Sequence, residues 1–305
     1  MGRRPKRSTP PGVVEIDGCV VIDKPAGMTS HDVVARARRS LMTRRIGHAG
    51  TLDPGATGVL VLGVGRATRL LRYVSDLPKS YAGEIVFGVS TTTLDDEGEE
   101  TGRFEMVGLT LELIREASKA FVGTIDQVPP MVSAIKVGGT RLYDLARQGI
   151  EVERAPRSVT ITRFDIEATE DTHVVRFEVD CSSGTYIRSL AADLGVALGG
   201  GAHLRQLRRT AIGPFTLDRA RALEGLTRDD VEPPEGLVPH LGCVVVADGF
   251  TDEIAHGKVI DRRLLEVVGA GPWSLLSSSG ELLAIYEPWT AERIKPAVVL
   301  TQPAG

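Results

Sequence analysis

The chain has 305 residues, 42% of them hydrophobic and 25% charged, with a formal net charge of -4. That length holds one large domain or one large and one small. The ordinary composition excludes a low-complexity or fibrous chain, and the negative charge argues against a surface that binds polyanions indiscriminately.

The opening "MGRRPKRSTPPG" is basic and Pro-rich, with no apolar stretch after it, so residues 1–13 read as a disordered tail and not a signal peptide. Gly2 suggests myristoylation, but Lys6 stands where Ser or Thr is wanted. "GCVVIDKPAGMTS" reads as a strand stopped by a Pro-Gly turn, and Ser30 is placed to cap a helix from His31 to about Leu41. Val59–Val64 is a short buried strand or core segment, too short to span a bilayer. "KSYAGEIVFGVST" alternates as a strand and runs into the acidic loop "TLDDEGEE". An amphipathic helix follows, with Leu111, Ile114, Ala117 and Phe121 on one face.

Residues from about 127 to 156 differ in texture. Paired prolines and glycines interrupt them, and Lys136, Arg141, Arg147 and Arg154 make them basic, as expected of an exposed insertion with one short helix. Two antiparallel strands and a Ser-Gly turn come next, then a helix in "SLAADLGVALGGG" that ends at glycines. "LTRDDVEPPEGLVPH" reads as a linker, and residues 239–305 as a small β-rich domain. Strands and helices do not alternate regularly, so the fold class is α+β.

Among candidate sites, the glycines at Gly63 and Gly65 lack the rest of a dinucleotide fingerprint, and no phosphate-binding Gly-Lys-Ser/Thr loop exists. Cys19, Cys181 and Cys243 are odd in number and far apart, which argues against disulfides or a zinc site. Arginines cluster in "RARRSLMTRR", "GRATRLLR" and "LRQLRR", as a phosphate-lined groove would require. Asp53 in "TLDPGATG" is a lone acid; an Asp before Pro often only closes a turn, and a catalytic role needs a cation and an aromatic hydroxyl nearby. "CSSGTYIRSLAADLG" offers Tyr186 and Arg188, which share a side if that stretch is extended. "PKSYAGEI" offers Tyr81.

Six blocks, "VVIDKPAGMTSHDVV", "RRIGHAGTLDPGATGVLVLGVGRATR", "KSYAGEI", "SAIKVGGTRLYDLARQGIEV", "CSSGTYIRSLAADLG" and "GAHLRQLRRTAIGPF", occur in one order over most of residues 14–217. Together they resemble the bacterial tRNA pseudouridine synthase family of TruB type. The resemblance implies a pseudouridine-synthase fold: a mixed, mainly antiparallel sheet flanked by helices over residues 14–238, with a PUA-like RNA-binding domain at 239–305. It implies isomerisation of uridine 55 in the tRNA T-loop without cofactor or metal, by a cytoplasmic monomer with no obligatory protein partner and no membrane. Asp53 takes the catalytic aspartate's place, with Tyr81 and Arg188 beside it in the catalytic set. His48, Tyr81, Tyr186, Leu207 and Lys24 fall on substrate-binding positions. Gly55 departs from the family, where a larger apolar residue is usual, which bears on the stiffness of the loop. Two alternatives share these residues: a non-catalytic RNA-binding or tRNA-folding protein, and a guide-RNA-dependent synthase.

Such a reaction breaks the N1–C1′ bond, turns the uracil and rejoins it through C5. It needs a base flipped out of its stack, an ionised carboxylate kept so by a cation, and a group that takes the C5 proton.

Overall fold

The computed structural model describes residues 15–131, 136, 137, 140, 141 and 152–302. The expected basic tail and the body of the expected insertion lie outside the described residues. Contacts gather into two units. The first comprises Met1–Asp53, Val59–Ser75 and Gly213–Gly305, and the second Pro54–Gly58 and Asp76–Ile212. The chain therefore passes from one unit to the other immediately after Asp53.

In the first unit, β1 (Gly18–Lys24) is buried along nearly its whole length, as its β-branched run predicts. Helix α1 (Ser30–Ser40) follows. Its cap is Thr29, not Ser30: Thr29 and Asp32 form a reciprocal capping box. The Ser30 hydroxyl turns inward instead and accepts from the Leu52 N–H at 2.9 Å. β2 (Ile46–Ala49) lies antiparallel to β3 (Thr57–Val64), with His48 opposite Leu62. Side chains of β1, α1 and β3 share one apolar cluster built from Val20, Ile22, Val33, Val34, Leu60 and Leu62. The Gly65 region is a 3-10 turn leading into α2 (Leu71–Ser75). Gly65 has φ +60°, and a Cβ there would meet the Asp17 carboxylate at 2.2 Å. That carboxylate binds Arg66, so this glycine serves a tight turn.

The segment expected to be a linker is instead fastened to β1. Glu232 and Cys19 exchange both backbone hydrogen bonds at 2.8 Å, and Leu226, Leu237 and Val238 are buried. Its acids and prolines mark turns on a packed surface.

The second unit holds β4 (Lys79–Phe87), β5 (Val89–Thr91), β6 (Glu100–Arg103), β7 (Gly123–Gln127), β8 (Lys136–Val137), β9 (Thr140–Arg141), β10 (Arg157–Ala168), β11 (Val174–Cys181) and β12 (Ala202–Ile212). Its sheet runs β12-β4-β11-β10-β7, every neighbouring pair antiparallel. Residues Thr57 and Gly58, at the head of β3, add a parallel pairing with Arg208 and Arg209. Helix α3 (Leu111–Lys119) is capped by Thr110, and α4 (Ile187–Ala197) ends before Gly199 at φ +80°. Both helices and the sheet close over one core that includes Ile85, Phe87, Ile114, Phe177, Val179, Leu190 and Leu194.

After Ile212 the chain is again in the first unit, with β13 (Phe215–Thr216) and β14 (Arg221–Ala222), the latter parallel to β1. The C-terminal strands β15 (Gly242–Val245), β16 (Ile260–Asp261), β17 (Trp273–Leu276), β18 (Leu282–Pro288) and β19 (Arg293–Val299) form a five-stranded sheet in the order β15-β17-β18-β19-β16. Helix α5 (Thr251–Ala255) packs there, and Trp273, Leu275, Ala284, Tyr286 and Ile254 make its separate core. The fold class is α+β.

Candidate active site

Of the residues singled out in the sequence, Lys24, His48 and Asp53 fall in the first unit, and Tyr81, Tyr186, Arg188 and Leu207 in the second.

Asp53 follows buried Leu52, whose N–H the Ser30 side chain holds. Its own side chain is exposed, and the next residues, Pro54 and Gly55, are exposed as well. The acid thus stands on the outward side of a turn whose preceding residue anchors it. Lys24 has 0% exposure and donates its ammonium to the Pro25 and Met28 carbonyls at 2.9 and 2.6 Å. These two bonds shape the Pro-Gly turn after β1. His48 is half-buried on β2 and meets the His31 ring edge-on, centroids 5.4 Å apart. His31 lies in the block "VVIDKPAGMTSHDVV", which assigns it no role; folding brings α1 beside β2.

In the second unit, Tyr186 is the residue before α4, and Arg188 lies inside that helix. The stretch is therefore not extended, and the condition under which the two share a side is not met. A helix turn separates them by about 200° because each residue advances about 100°. Gln127, 1% exposed, grips the Tyr186 backbone from both sides: its Oε1 accepts from the Tyr186 N–H at 2.8 Å, and its Nε2 donates to the Tyr186 carbonyl at 3.0 Å. Ser189 adds a bond to the Val128 carbonyl at 3.0 Å. These contacts fix where α4 starts, and Gln127 is a residue no motif pointed to.

Arg188 is 5% exposed. Its guanidinium donates to the Thr93 carbonyl at 3.0 Å and lies 3.7 Å from the Asp95 carboxylate. Both partners come from the acidic loop, which reads from composition as a solvated charge run. That loop is held by backbone bonds on either side of Leu204 in β12. A buried arginine cannot shed its proton, so it needs oxygen acceptors around it; the loop supplies them.

Tyr81 and Leu207 are half-buried and border the same apolar cluster. The pairing of β12 with β4 shifts register between Arg205 and Arg208, and Gln206 takes φ +54° at that bulge. The bulge re-aims the side chain that follows it, Leu207. The arginine clusters divide. Arg205 pairs with Glu84 at 2.7 Å, Arg66 with Asp17 at 2.6 Å, and Arg209 is 1% exposed. These three are turned to protein partners or buried. Arg36, Arg39, Arg44 and Arg72 remain on the surface. Among the described residues no three His, Cys, Asp or Glu side chains group as a metal site, and no helix is long and apolar enough to cross a membrane.

Comparison with known proteins bears on this arrangement. A family model described as TruB family pseudouridylate synthase (N terminal domain) matches residues 38–187, and one for the tRNA pseudouridylate synthase B C-terminal domain matches residues 188–232. The chain is 46% identical over 298 residues to the tRNA pseudouridine synthase B of Rhodococcus jostii (strain RHA1), covering 94% of each. It is 53% identical over 290 residues to that of Arthrobacter sp. (strain FB24), covering 88% of this chain and 92% of the relative. Among solved structures, a chain of a Cbf5-Nop10-Gar1 complex superposes with a TM-score of 0.72 at 27% identity, over 93% of this chain and 84% of the other. The chain belongs to the TruB family of pseudouridylate synthases.

Proposed function

We propose that the protein isomerises uridine 55 in the T-loop of tRNA to pseudouridine, acting alone on the T-arm, without cofactor or metal, as a cytoplasmic monomer. The relatives named above carry tRNA in their names, which supports a tRNA substrate over a guide-RNA partner. The observation that carries the reading further is in the second unit. There an aromatic hydroxyl and a leucine, Tyr81 and Leu207, border one apolar cluster, and Arg188 is buried on oxygen acceptors. An apolar and aromatic lining holds a detached uracil while it turns.

In this reading Asp53 is the essential carboxylate, acting as nucleophile or as electrostatic partner when the N1–C1′ bond breaks. Arg188 is the cation that keeps it ionised. Tyr81 and Tyr186 stack on the uracil, Leu207 closes on it, and Tyr81 takes the proton from C5. His48 fills the gap left in the T-loop stack, at a cost of a few kcal/mol for flipping the base. Surface arginines, the insertion at about 127–156 and the PUA-like C-terminal sheet bind phosphates and offset that cost. Incubating the purified protein alone with unmodified tRNA and with a T-arm stem-loop, then mapping pseudouridine, tests the proposal. Pseudouridine at position 55 in both is expected. RNA binding without product points to a tRNA-folding role, and product only with an added guide RNA to the other alternative.

A further inference from the structure

Arg209 is among the largest side chains buried in the chain, at 1% exposure. It sits on β12 directly opposite Tyr81 on β4, so the two side chains share a face of the sheet. Its guanidinium donates a hydrogen bond to the Tyr81 hydroxyl. Lys79 lies two residues before Tyr81, hence on that same face, and is 6% exposed. Its ammonium donates to the Leu77 carbonyl at 2.7 Å. Two buried cations thus lie on the sheet face that carries this phenol, Arg209 in contact with it.

The backbone of Arg209 is fixed independently. Gly58 pairs with it across β3 and β12, at φ +101°, and a Cβ on Gly58 would lie 2.1 Å from the Arg209 carbonyl oxygen. The close approach admits glycine alone, so the "GATG" stretch holds the strand residue that holds Tyr81. An arginine this deep cannot meet RNA phosphates, and packing alone is a poor reason for it: a guanidinium in an apolar core costs free energy that leucine or methionine avoids.

We propose that Arg209 is a positioning residue for proton removal at C5: it orients the Tyr81 hydroxyl and stabilises its phenolate form, with Lys79 adding positive charge on the same sheet face. The proposal rests on the isomerase reading above. Before the base arrives, Tyr81 loses its proton to water. After the new C5–C1′ bond has formed, the C5–H bond breaks and its electron pair forms C5=C6. The C6=N1 π pair moves to N1, which takes a proton from water, and the proton released from C5 adds to the phenolate oxygen. A neutral phenol accepts only weakly from a buried guanidinium, whereas a phenolate neutralises it. The titratable groups on the Tyr81 side of the sheet are Arg209 from β12, directly opposite it, Lys79 from β4, and Cys181 from β11, opposite Lys79; Asp76 also acts on Lys79. Burial pushes the Cys181 thiol up to about 11, so it stays neutral, and brings Lys79 down to about 8, with Arg209 contributing. On α4, which packs against β12, Arg188 is turned to Thr93 and Asp95, and burial raises the Asp193 carboxyl.

The test is the single-turnover release of tritium from a T-arm RNA carrying [5-3H]uridine, at saturating enzyme, from pH 6 to 10. Arg209→Met should slow release about tenfold at pH 7 and shift the rise of rate with pH upward by about one unit, so that the loss shrinks near pH 10. Arg209→Lys should lie between it and the unaltered protein. Replacing Tyr81 by 3-fluorotyrosine, whose phenol is more acidic, should restore the pH 7 rate of Arg209→Lys. If Arg209→Met does not fold, the lysine variant with and without fluorotyrosine still decides. A uniform loss at every pH, with no rescue by fluorotyrosine, overturns the proposal and leaves Arg209 a packing residue. Absence of release by the unaltered protein sinks the isomerase reading itself, a separate outcome.

Discussion

The turn after Asp53 and the strand pair β4–β12 place polar groups by opposite means. In the turn, Asp53, Pro54 and Gly55 are exposed, and order comes from Leu52 on one side and Gly58 on the other. In the strand pair, Lys79 and Arg209 are buried, Lys79 held by the Leu77 carbonyl beside it and Arg209 by Tyr81 across the sheet. The difference teaches where each element is fragile. On the proposed role of Asp53, the exposed middle of the turn should tolerate changes of shape more readily than a loss of charge. The sheet face is sensitive to volume, register and protonation.

The sharpest way to break the comparison is at the acid. Asp53→Asn keeps shape and removes charge, and should lower the single-turnover rate on the order of 10³-fold or more while T-arm affinity stays within a few-fold. Activity at a tenth of the unaltered rate would show that the carboxylate is not the reacting group. Arg188→Met should cost on the order of 10²-fold, and Arg188→Lys should recover part, because lysine retains the charge without the planar fork that reaches the Thr93 carbonyl and Asp95 together. If Arg188→Met loses RNA affinity and keeps its single-turnover rate, the arginine grips RNA instead.

Gly58→Ala tests the anchored end of the turn. The added Cβ meets backbone, which cannot swing aside, at a positive φ, so unfolding free energy should fall by roughly 3 kcal/mol or more in a denaturant titration. Lys79 tests the buried face. Its folded-state pKa is lowered from 10.5 to about 8, by burial first and by Arg209 second. Below pH 8 both folded and unfolded chains carry the proton, and the folded state bears the cost of a buried charge. Between 8 and 10.5 the unfolded state binds more protons, so stability attributable to this group should rise with pH, by up to roughly 3 kcal/mol, and level off above 10.5. Lys79→Met should remove that rise; an unchanged pH dependence in the variant would mean the ammonium is not buried in solution. The smallest effect belongs to Gly55→Ala. A Cβ there approaches the Glu97 carboxylate at 2.6 Å, the far end of a flexible exposed side chain, so stability should change by less than about 0.5 kcal/mol and activity by less than twofold. A large loss would show that the turn is stiffer than its exposure implies.

Much was legible in the chain itself. The β-branched run of β1, the alternation in β4, the amphipathic face of α3 and the glycines after α4 encode local structure through periodicity and backbone preference, and these elements formed where they were expected. The residue types of the candidate site were legible too, because short blocks such as "GTLDPG" and "GTYIR" carry them in fixed order. Their local setting was less so: "TYIR" reads as extended, but Gln127 ends the extended segment at Tyr186 and Arg188 becomes helical. Acid pooled in "LDDEGEE" looks like a solvated run until Asp95 meets Arg188, and "LRR" looks like a phosphate grip until Arg209 turns out to be buried against Tyr81. What the sequence determined by itself was the set of elements and the chemical kinds present, since both are properties of neighbours along the chain. What the tertiary structure decided was which charges face water and which face each other, because burial and cross-strand partnership arise between residues far apart in sequence, such as Gly58, Tyr81 and Arg209.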